Sequence, residues 1–325
     1  MSLAPSHLHV DYVHDDLAAL LGAADLLAVF GFGPDAPRSD DPRYLRVPLA
    51  PFGATVLEAW RAGQPVTHGR DGAVQWSSDG AWLFGAIDVD EASVGGITAA
   101  ARTAYDTLTR FVHARGFPHL IRIWNYMDAI THGEGDGERY REFCVGRALG
   151  LGSFDVATLP AATAIGRRDG ARVLQVYWLA AQVPGTPLEN PRQVSAYRYP
   201  RQYGPQSPSF ARAMLPPTAD RTPLLLSGTA AVVGHASQHA GSLFAQIDET
   251  MRNFDALVQA ARVHQPALPT AFGLGTRLKV YARDAADLPT VERALRERLV
   301  GVPFIVLHAA VCRNELALEI DGVHC

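Results

Sequence analysis

Two stretches of helical periodicity, 93–114 and 242–261, stand at matching places in the two halves of the chain, each among short apolar strands. In the first, Ile97, Ala101, Tyr105, Leu108 and Val112 fall three or four residues apart on one face. In the second, Leu243, Ile247, Phe254, Leu257 and Val258 form the apolar side. Such faces have to be buried, and the neighbouring strands offer sheets to bury them on. The first half reads as strands at 26–34, 44–49, 73–76 and 81–89, the helix 93–114, a strand at 119–126, a second helix at 138–149 and a strand at 172–182. The second half reads as a strand at 224–235, the helix 242–261 and a strand at 274–281. A helix capped by Asp287 follows, with Pro289 in its first turn and Val291, Leu295 and Leu299 on one face; two strands close the chain. No clear identity links the halves. Their shared order still predicts an α+β protein of two similarly built domains, 1–182 and 224–325, each a mixed sheet with two helices on one face. An irregular segment, 183–223, connects them.

The two closing strands are expected to form a hairpin. The run 304–312 is apolar, Arg313-Asn314-Glu315 is a polar break, and Leu316, Leu318 and Ile320 then alternate with Ala317, Glu319 and Asp321. A hairpin brings Cys312 and Glu319 into one neighbourhood. A carboxyl on an otherwise apolar strand has its ionised form disfavoured, can keep its proton near neutral pH, and can then serve as a general acid. On the competing reading, Glu319 points to solvent.

The segment 183–223 is the least regular. It carries Pro200, Pro205, Pro208, Pro216, Pro217 and Pro223, and its middle holds Tyr197, Tyr199, Tyr203, Arg198, Arg201 and Arg212. Linkers are seldom so rich in tyrosine and arginine. Rings and guanidinium groups together suit an anionic ring compound. The alternative is a connection that packs its tyrosines on a neighbouring domain.

A net charge of −4 over 325 residues argues against nucleic-acid binding. Lys279 is the only lysine, so a Schiff-base mechanism would have one candidate. Arginine suits a bidentate grip on carboxylates, although GC-rich coding produces the same bias. Cys144, Cys312 and Cys325 form no CxxC pair or disulfide framework, which fits a reduced, cytoplasmic setting. The first sixteen residues lack the basic region and apolar core of a signal peptide. No apolar run reaches the roughly 20 residues of a membrane helix. Gly31-x-Gly33 lacks the third glycine of a dinucleotide fingerprint. Neither the loop with His132, Glu134 and Asp136 nor the His235/His239 pair has metal-ligand spacing; the two histidines read as capping or site polar groups.

The strand with Ser227-Gly228, the helix after it, Lys279-Val280-Tyr281 and Glu319-Ile320-Asp321 resemble the RidA/YjgF superfamily over the last hundred or so residues. A sharper resemblance spans most of the chain. Arg122-Ile123-Trp124-Asn125-Tyr126, the run Glu138 to Ala148, Gln193 to Tyr197, Tyr203-Gly204-Pro205, Ser207 to Arg212, Ser227-Gly228-Thr229-Ala230, Val311-Cys312-Arg313 and Leu318-Glu319-Ile320 resemble the chorismatases, in family order. That resemblance implies cleavage of the enol-pyruvyl ether of chorismate with release of pyruvate, and a RidA/YjgF-like layout for both domains. It implies Glu319 as general acid. Cys312 and Gly228 match the branches that form 3-hydroxybenzoate, alone or with 4-hydroxybenzoate, rather than the branch that makes a dihydroxycyclohexadiene carboxylate by net hydrolysis. The substrate has two carboxylates, and Arg147 and Arg212 are the candidates to hold them, with Tyr140 and Tyr203 as hydroxyl donors; Arg201 and Gly228 complete the binding set. For each arginine the alternative is a structural salt bridge. The Cys312 thiol, with an unperturbed pKa of about 8.5, is the expected proton relay in aromatisation. No metal, organic cofactor, nucleic acid or membrane is implied, and the oligomeric state stays open. A RidA-like imine deaminase and a non-catalytic small-molecule sensor are the rival readings.

Overall fold

The computed structural model describes residues 7–153, 155–217 and 222–325. Residues 1–6, part of the stretch read for a leader, lie outside these, as do Phe154 and residues 218–221 of the irregular segment.

Alternation along the strands sets the layers. In Val173–Ala181, Tyr177, Leu179 and Ala181 face one core, while Leu174, Val176, Trp178 and Ala180 face another. A strand buried on both faces belongs inside a layered body. It lies third in a six-stranded sheet ordered Ala161–Arg167, His119–Asp128, Val173–Ala181, Trp82–Asp90, Val74–Ser78, Thr67–Asp71. Helices Ile97–Ala114 and Arg139–Leu151 cover one face. They approach closely at Gly146, where a Cβ would lie 2.1 Å from the Thr98 carbonyl oxygen.

The C-terminal half repeats the plan. Its sheet runs Thr186–Leu188, Ala213–Leu215, Leu224–Thr229, Leu318–His324, Arg277–Ala282, Phe304–His308, and ends on Ala50–Phe52 from the N-terminal half. Helices Leu243–His264 and Leu288–Arg298 cover one face. Pro289 stands in the first turn as expected, but Asp287 makes no side-chain cap bond.

The expected closing hairpin does not form. Arg277–Ala282 lies between the two closing strands, parallel to Phe304–His308 and antiparallel to Leu318–His324. A strand-helix-strand unit can return its second strand beside its first, in parallel, and that pairing wins here. The chain then leaves the sheet after His308. Ala310 exchanges two backbone hydrogen bonds with Gly166 of the other sheet, at 2.7 and 2.9 Å. Cys312 therefore sits in a loop, not on a strand.

A third, smaller sheet was not foreseen as a unit. It is ordered Leu8–Val13, Leu57–Ala62, Leu26–Phe32, Tyr44–Val47, with Leu17 and Leu20 of a short helix on its outer face. All three sheets turn their inner faces to one core containing Phe30, Trp60, Phe84, Trp124, Tyr126, Tyr177 and Tyr281. Trp60 meets Trp124 edge-on at 5.3 Å. Each such ring contributes about 1.5–3 kcal/mol by leaving water.

Charges from all three sheets are buried at the same junction. Lys279 Nζ lies 2.9 Å from both Glu58 oxygens and 3.5 Å from Asp321 Oδ1, and Arg122 Nη2 donates to Asp321 Oδ2 at 2.8 Å. The Schiff-base candidate is thus committed to ion pairs. Among the described residues, no helix is long and apolar enough to cross a membrane.

Candidate active site

Where the edge strand Ala161–Arg167 meets the C-terminal sheet, the two sheets are stitched by side chain and backbone. Ser227 Oγ accepts from Ala162 N at 2.9 Å and donates to the Ala211 carbonyl at 2.6 Å, and Ala211 N donates to Pro160 O at 2.9 Å. A cavity of about 380 Å³ opens at this seam, within the range of small-molecule sites. Helix Arg139–Leu151 brings Tyr140 and Arg147 to it, and the irregular segment brings Tyr199, Tyr203, Phe210 and Arg212. Strand Leu224–Thr229 supplies Gly228, the loop after His308 supplies Cys312 and Arg313, and the last strand supplies Glu319.

Glu319 is 6% exposed and lines the cavity, so the solvent-face reading does not hold. Among the described residues its carboxyl oxygens make no hydrogen bond. Burial, and then the charge of Asp321, push its pKa up to about 8; Arg212, Arg122 and Arg313 pull the other way. Gly228 makes the space for this carboxyl: a Cβ at 228 would lie 1.9 Å from Glu319 Oε1.

Four arginines line the cavity; Arg141 has Glu138 at 3.9 Å, and among the described residues Arg147, Arg212 and Arg313 have no carboxylate within 4 Å. Arg147 donates through Nη2 to Ser209 O at 2.6 Å, and its buried Nε has no partner. Arg212 donates through Nη2 to Tyr199 Oη at 2.7 Å and Val194 O at 3.1 Å, and its Nε is likewise unpartnered. Arg313 donates to His235 O and Ser237 Oγ, and stacks over the Tyr203 ring at 4.2 Å. Buried donors without acceptors are costly unless a ligand supplies the acceptor. Arg147, Arg212 and Arg313, without carboxylate partners and beside a carboxyl held near neutral, make this part of the lining suited to an anion.

Tyr140 stacks on Phe143, and burial raises its pKa well above the ordinary value. Tyr203 exchanges a hydrogen bond with His235 Nδ1 at 3.1 Å. His239 turns instead to Glu249, so the two histidines do not share a site. Cys312 stands close enough to Glu319 to feel its charge. Burial and that charge push the thiol well above its ordinary range, against the opposing Arg313. This corrects the expectation of a thiol titrating close to neutral: Cys312 stays an S–H through the neutral range. Cys144, behind Tyr140, is pushed up to about 12 by burial.

Arg201 is not brought to this lining. It is exposed and spends its guanidinium on Asp136, at 2.8 and 2.5 Å, in the loop read for metal ligands. Sequence reasoning missed Arg313 as a cavity cation, although Arg313 was in view as the neighbour of Cys312. It also missed Thr163, because Ala161–Arg167 is alanine-rich and carries weak strand signals.

The family model described as Chorismatase FkbO/Hyg5-like, N-terminal, matches residues 58–180. A chorismatase of Streptomyces rapamycinicus is 38% identical over 276 residues, covering 82% of this chain and 81% of its own. A 3-hydroxybenzoate synthase of Streptomyces hygroscopicus is 34% identical over 286 residues, covering 85% and 83%. A chorismatase crystal structure aligns over 100% of both chains at 31% identity, with a TM-score of 0.84. With its layered halves, its seam cavity and relatives of this extent, the chain belongs to the chorismatase family of enzymes.

Proposed function

We propose that this enzyme cleaves the enol-pyruvyl ether of chorismate and releases pyruvate and 3-hydroxybenzoate. The observation that carries the reading is Glu319: an unbonded, buried carboxyl with a pKa near 8, in a cavity where Arg147, Arg212 and Arg313 have no carboxylate partner among the described residues. The two named relatives support it in substrate class and product.

The chemistry follows from these groups. Glu319 gives its proton to the terminal CH2 of the enol ether, which becomes an oxocarbenium ion, and the carboxyl becomes a carboxylate. An acid must be neutral before that step and negative after it, and a pKa near 8 allows both at neutral pH. The carboxylate that forms meets Arg212, Arg122 and Arg313, which favour the charged form. Arg147 and Arg212 hold the two substrate carboxylates, with Tyr140 and Tyr203 as hydroxyl donors around the ring. Gly228 keeps the Glu319 carboxyl in place. Chorismate divides into pyruvate and hydroxybenzoate with no net water: the C3–O bond to pyruvate breaks as the ring's own 4-hydroxyl oxygen bridges to C3, and opening of that bridge at C4 with loss of the C3 proton gives 3-hydroxybenzoate. Cys312 supplies an S–H beside the ring for that proton movement. On this reading 1–182 and 224–325 are the two domains, and 183–223 walls the site between them. The absence of any disulfide among the described cysteines supports a cytoplasmic setting.

The test is direct. Purified enzyme is given chorismate, pyruvate is measured, and the ring product is resolved by chromatography. Pyruvate with 3-hydroxybenzoate is expected. Pyruvate with the dihydroxydiene acid would replace the product assignment, and no pyruvate would remove the reading.

A further inference from the structure

Glu319 and Asp321 are two residues apart on one strand, so their side chains leave the same face about 7 Å apart. Glu319 ends in the cavity. Asp321 ends behind its wall, completely buried, where its Oδ2 accepts from Arg122 Nη2 at 2.8 Å, Thr163 Oγ1 at 2.8 Å and Tyr281 Oη at 3.2 Å. Asp321 Oδ1 is buried without a hydrogen bond and has only Lys279 Nζ, at 3.5 Å. Lys279 is itself shared with Glu58. The bonding of Asp321 is therefore one-sided: Oδ2 is held by three donors, Oδ1 has only the shared Lys279, and this fixed anion stands behind the acid. Thr163 joins the two places: it lines the cavity and donates to Asp321.

We propose that Asp321 is a positioning residue for the cleavage, a fixed anion that keeps the proton on Glu319 until substrate arrives. This rests on Glu319 being the acid. The cavity lining also carries Glu138, Glu315, Arg141 and Arg147, and the groups that act most strongly on Glu319 besides Asp321 oppose the effect. Arg122 on the neighbouring sheet, Arg212 in the irregular segment and Arg313 in the loop favour the carboxylate. Tyr140 on its helix, and Cys312, are uncharged across the neutral range. Asp321 is thus the anion set against three arginines. Without it, Glu319 would surrender its proton to the solvent at lower pH, and less of the enzyme would be competent at neutral pH.

The experiment is the pH profile of kcat/KM for pyruvate release in wild type, Asp321→Asn and Asp321→Glu. In Asp321→Asn the basic limb is expected to move down by about one pH unit, so that activity above the limb falls about tenfold further. Activity on the acid side should stay within about threefold of wild type. Asp321→Glu, which keeps the charge, should return the limb toward its wild-type position. A uniform loss at every pH with an unmoved limb would overturn the proposal and leave Asp321 a clamp between sheets. If Asp321→Asn does not fold, Asp321→Asn/Arg122→Met removes buried charge of both signs, which proteins often tolerate; its limb should move the same way by less, and an unmoved limb again overturns the idea. The titration of Glu319 itself, followed by carbon-13 NMR of labelled glutamate and assigned with Glu319→Gln, needs no substrate. It keeps the two readings separable: an enzyme that releases no pyruvate refutes the proposed function, while a Glu319 titration indifferent to Asp321 refutes this one.

Discussion

Two clusters of buried charge lie close together in this molecule and differ in how they are matched. In the junction of the three sheets, Glu58, Lys279, Asp321 and Arg122 are paired with one another at 2.8–3.5 Å. In the seam cavity, Arg147, Arg212 and Arg313 have no carboxylate within 4 Å among the described residues, and Glu319 is pushed toward its neutral form. Burial alone therefore does not mark a site, because both clusters are buried. What separates them is the unspent capacity. Matched charge holds sheets together, while unmatched charge waits for a ligand to complete it.

The comparison breaks first at Glu319. Glu319→Gln should fold and lose about 10²–10⁴ in pyruvate release, the usual worth of a positioned proton donor. Turnover near wild type in that variant removes Glu319 from the mechanism. The same variant tests the electrostatics. The folded pKa, about 8, lies above the ordinary 4.5, so the folded state holds the proton more tightly than the unfolded chain. Wild-type stability should then fall relative to Glu319→Gln as pH rises from about 4.5 to about 8, by at most about 1.4 kcal/mol per unit, with no difference in slope outside that window. Denaturant titrations of both proteins across that range measure it.

The matched cluster should answer in stability rather than chemistry. Lys279→Met leaves Glu58 buried without its cation and should cost about 3–5 kcal/mol. Adding Glu58→Gln should recover much of that loss. A single variant as stable as wild type would mean that the cluster is not a clamp.

How far the sequence could carry this distinction depended on the kind of signal. The helix 93–114 and the strand 172–182 were legible because periodicity and β-branched or aromatic residues agree in them. The strand Ala161–Arg167 was not, because alanine is a poor strand former and only the sheet beside it gives it a partner. The order of the last three strands was not legible either. Arg313-Asn314-Glu315 has turn chemistry, yet the pairing of Phe304–His308 is decided by the helix before it. Glu319 and Asp321 show the limit most plainly. They share one strand and one face, and no local pattern says that one ends in a cavity and the other in an ion pair. That depends on Arg122, which lies 199 residues away from Asp321 in the chain.

On the cavity side, Arg212→Ala should raise KM for chorismate by about 10- to 100-fold, the worth of a lost hydrogen bond between charged groups. It should cost little stability, because the guanidinium gives up two hydrogen bonds, to the Tyr199 hydroxyl and the Val194 carbonyl, and its contacts over the Phe210 and Tyr199 rings, but no ion pair. An unfolded variant whose remaining folded fraction binds chorismate normally would move Arg212 to the structural side of the comparison. A rise in KM without unfolding keeps it with the unmatched cations.

The smallest expected effect on rate, and the most specific on outcome, belongs to Cys312. Its thiol lies between the two kinds of environment: half-buried, beside Glu319, with the opposing charge of Arg313 next to it. Burial holds it as an S–H through the neutral range, so it can hand over a proton or a hydrogen bond but does not begin as a thiolate. Aromatisation after pyruvate leaves needs such proton movement, and pyruvate release does not. Cys312→Ala should therefore keep pyruvate release within a few-fold of wild type while shifting the ring product from 3-hydroxybenzoate toward the dihydroxydiene acid. Stability should change by about 1 kcal/mol or less, because alanine is close to cysteine in size. Cys312→Ser separates two roles inside that result. A hydroxyl replaces the hydrogen bond but is a far weaker acid, so a product ratio near wild type in the serine variant assigns Cys312 to orienting the ring, and a ratio like that of the alanine variant assigns it to proton transfer. If chromatography finds 3-hydroxybenzoate unchanged in both variants, the thiol is a small buried filler and product choice is set elsewhere in the cavity.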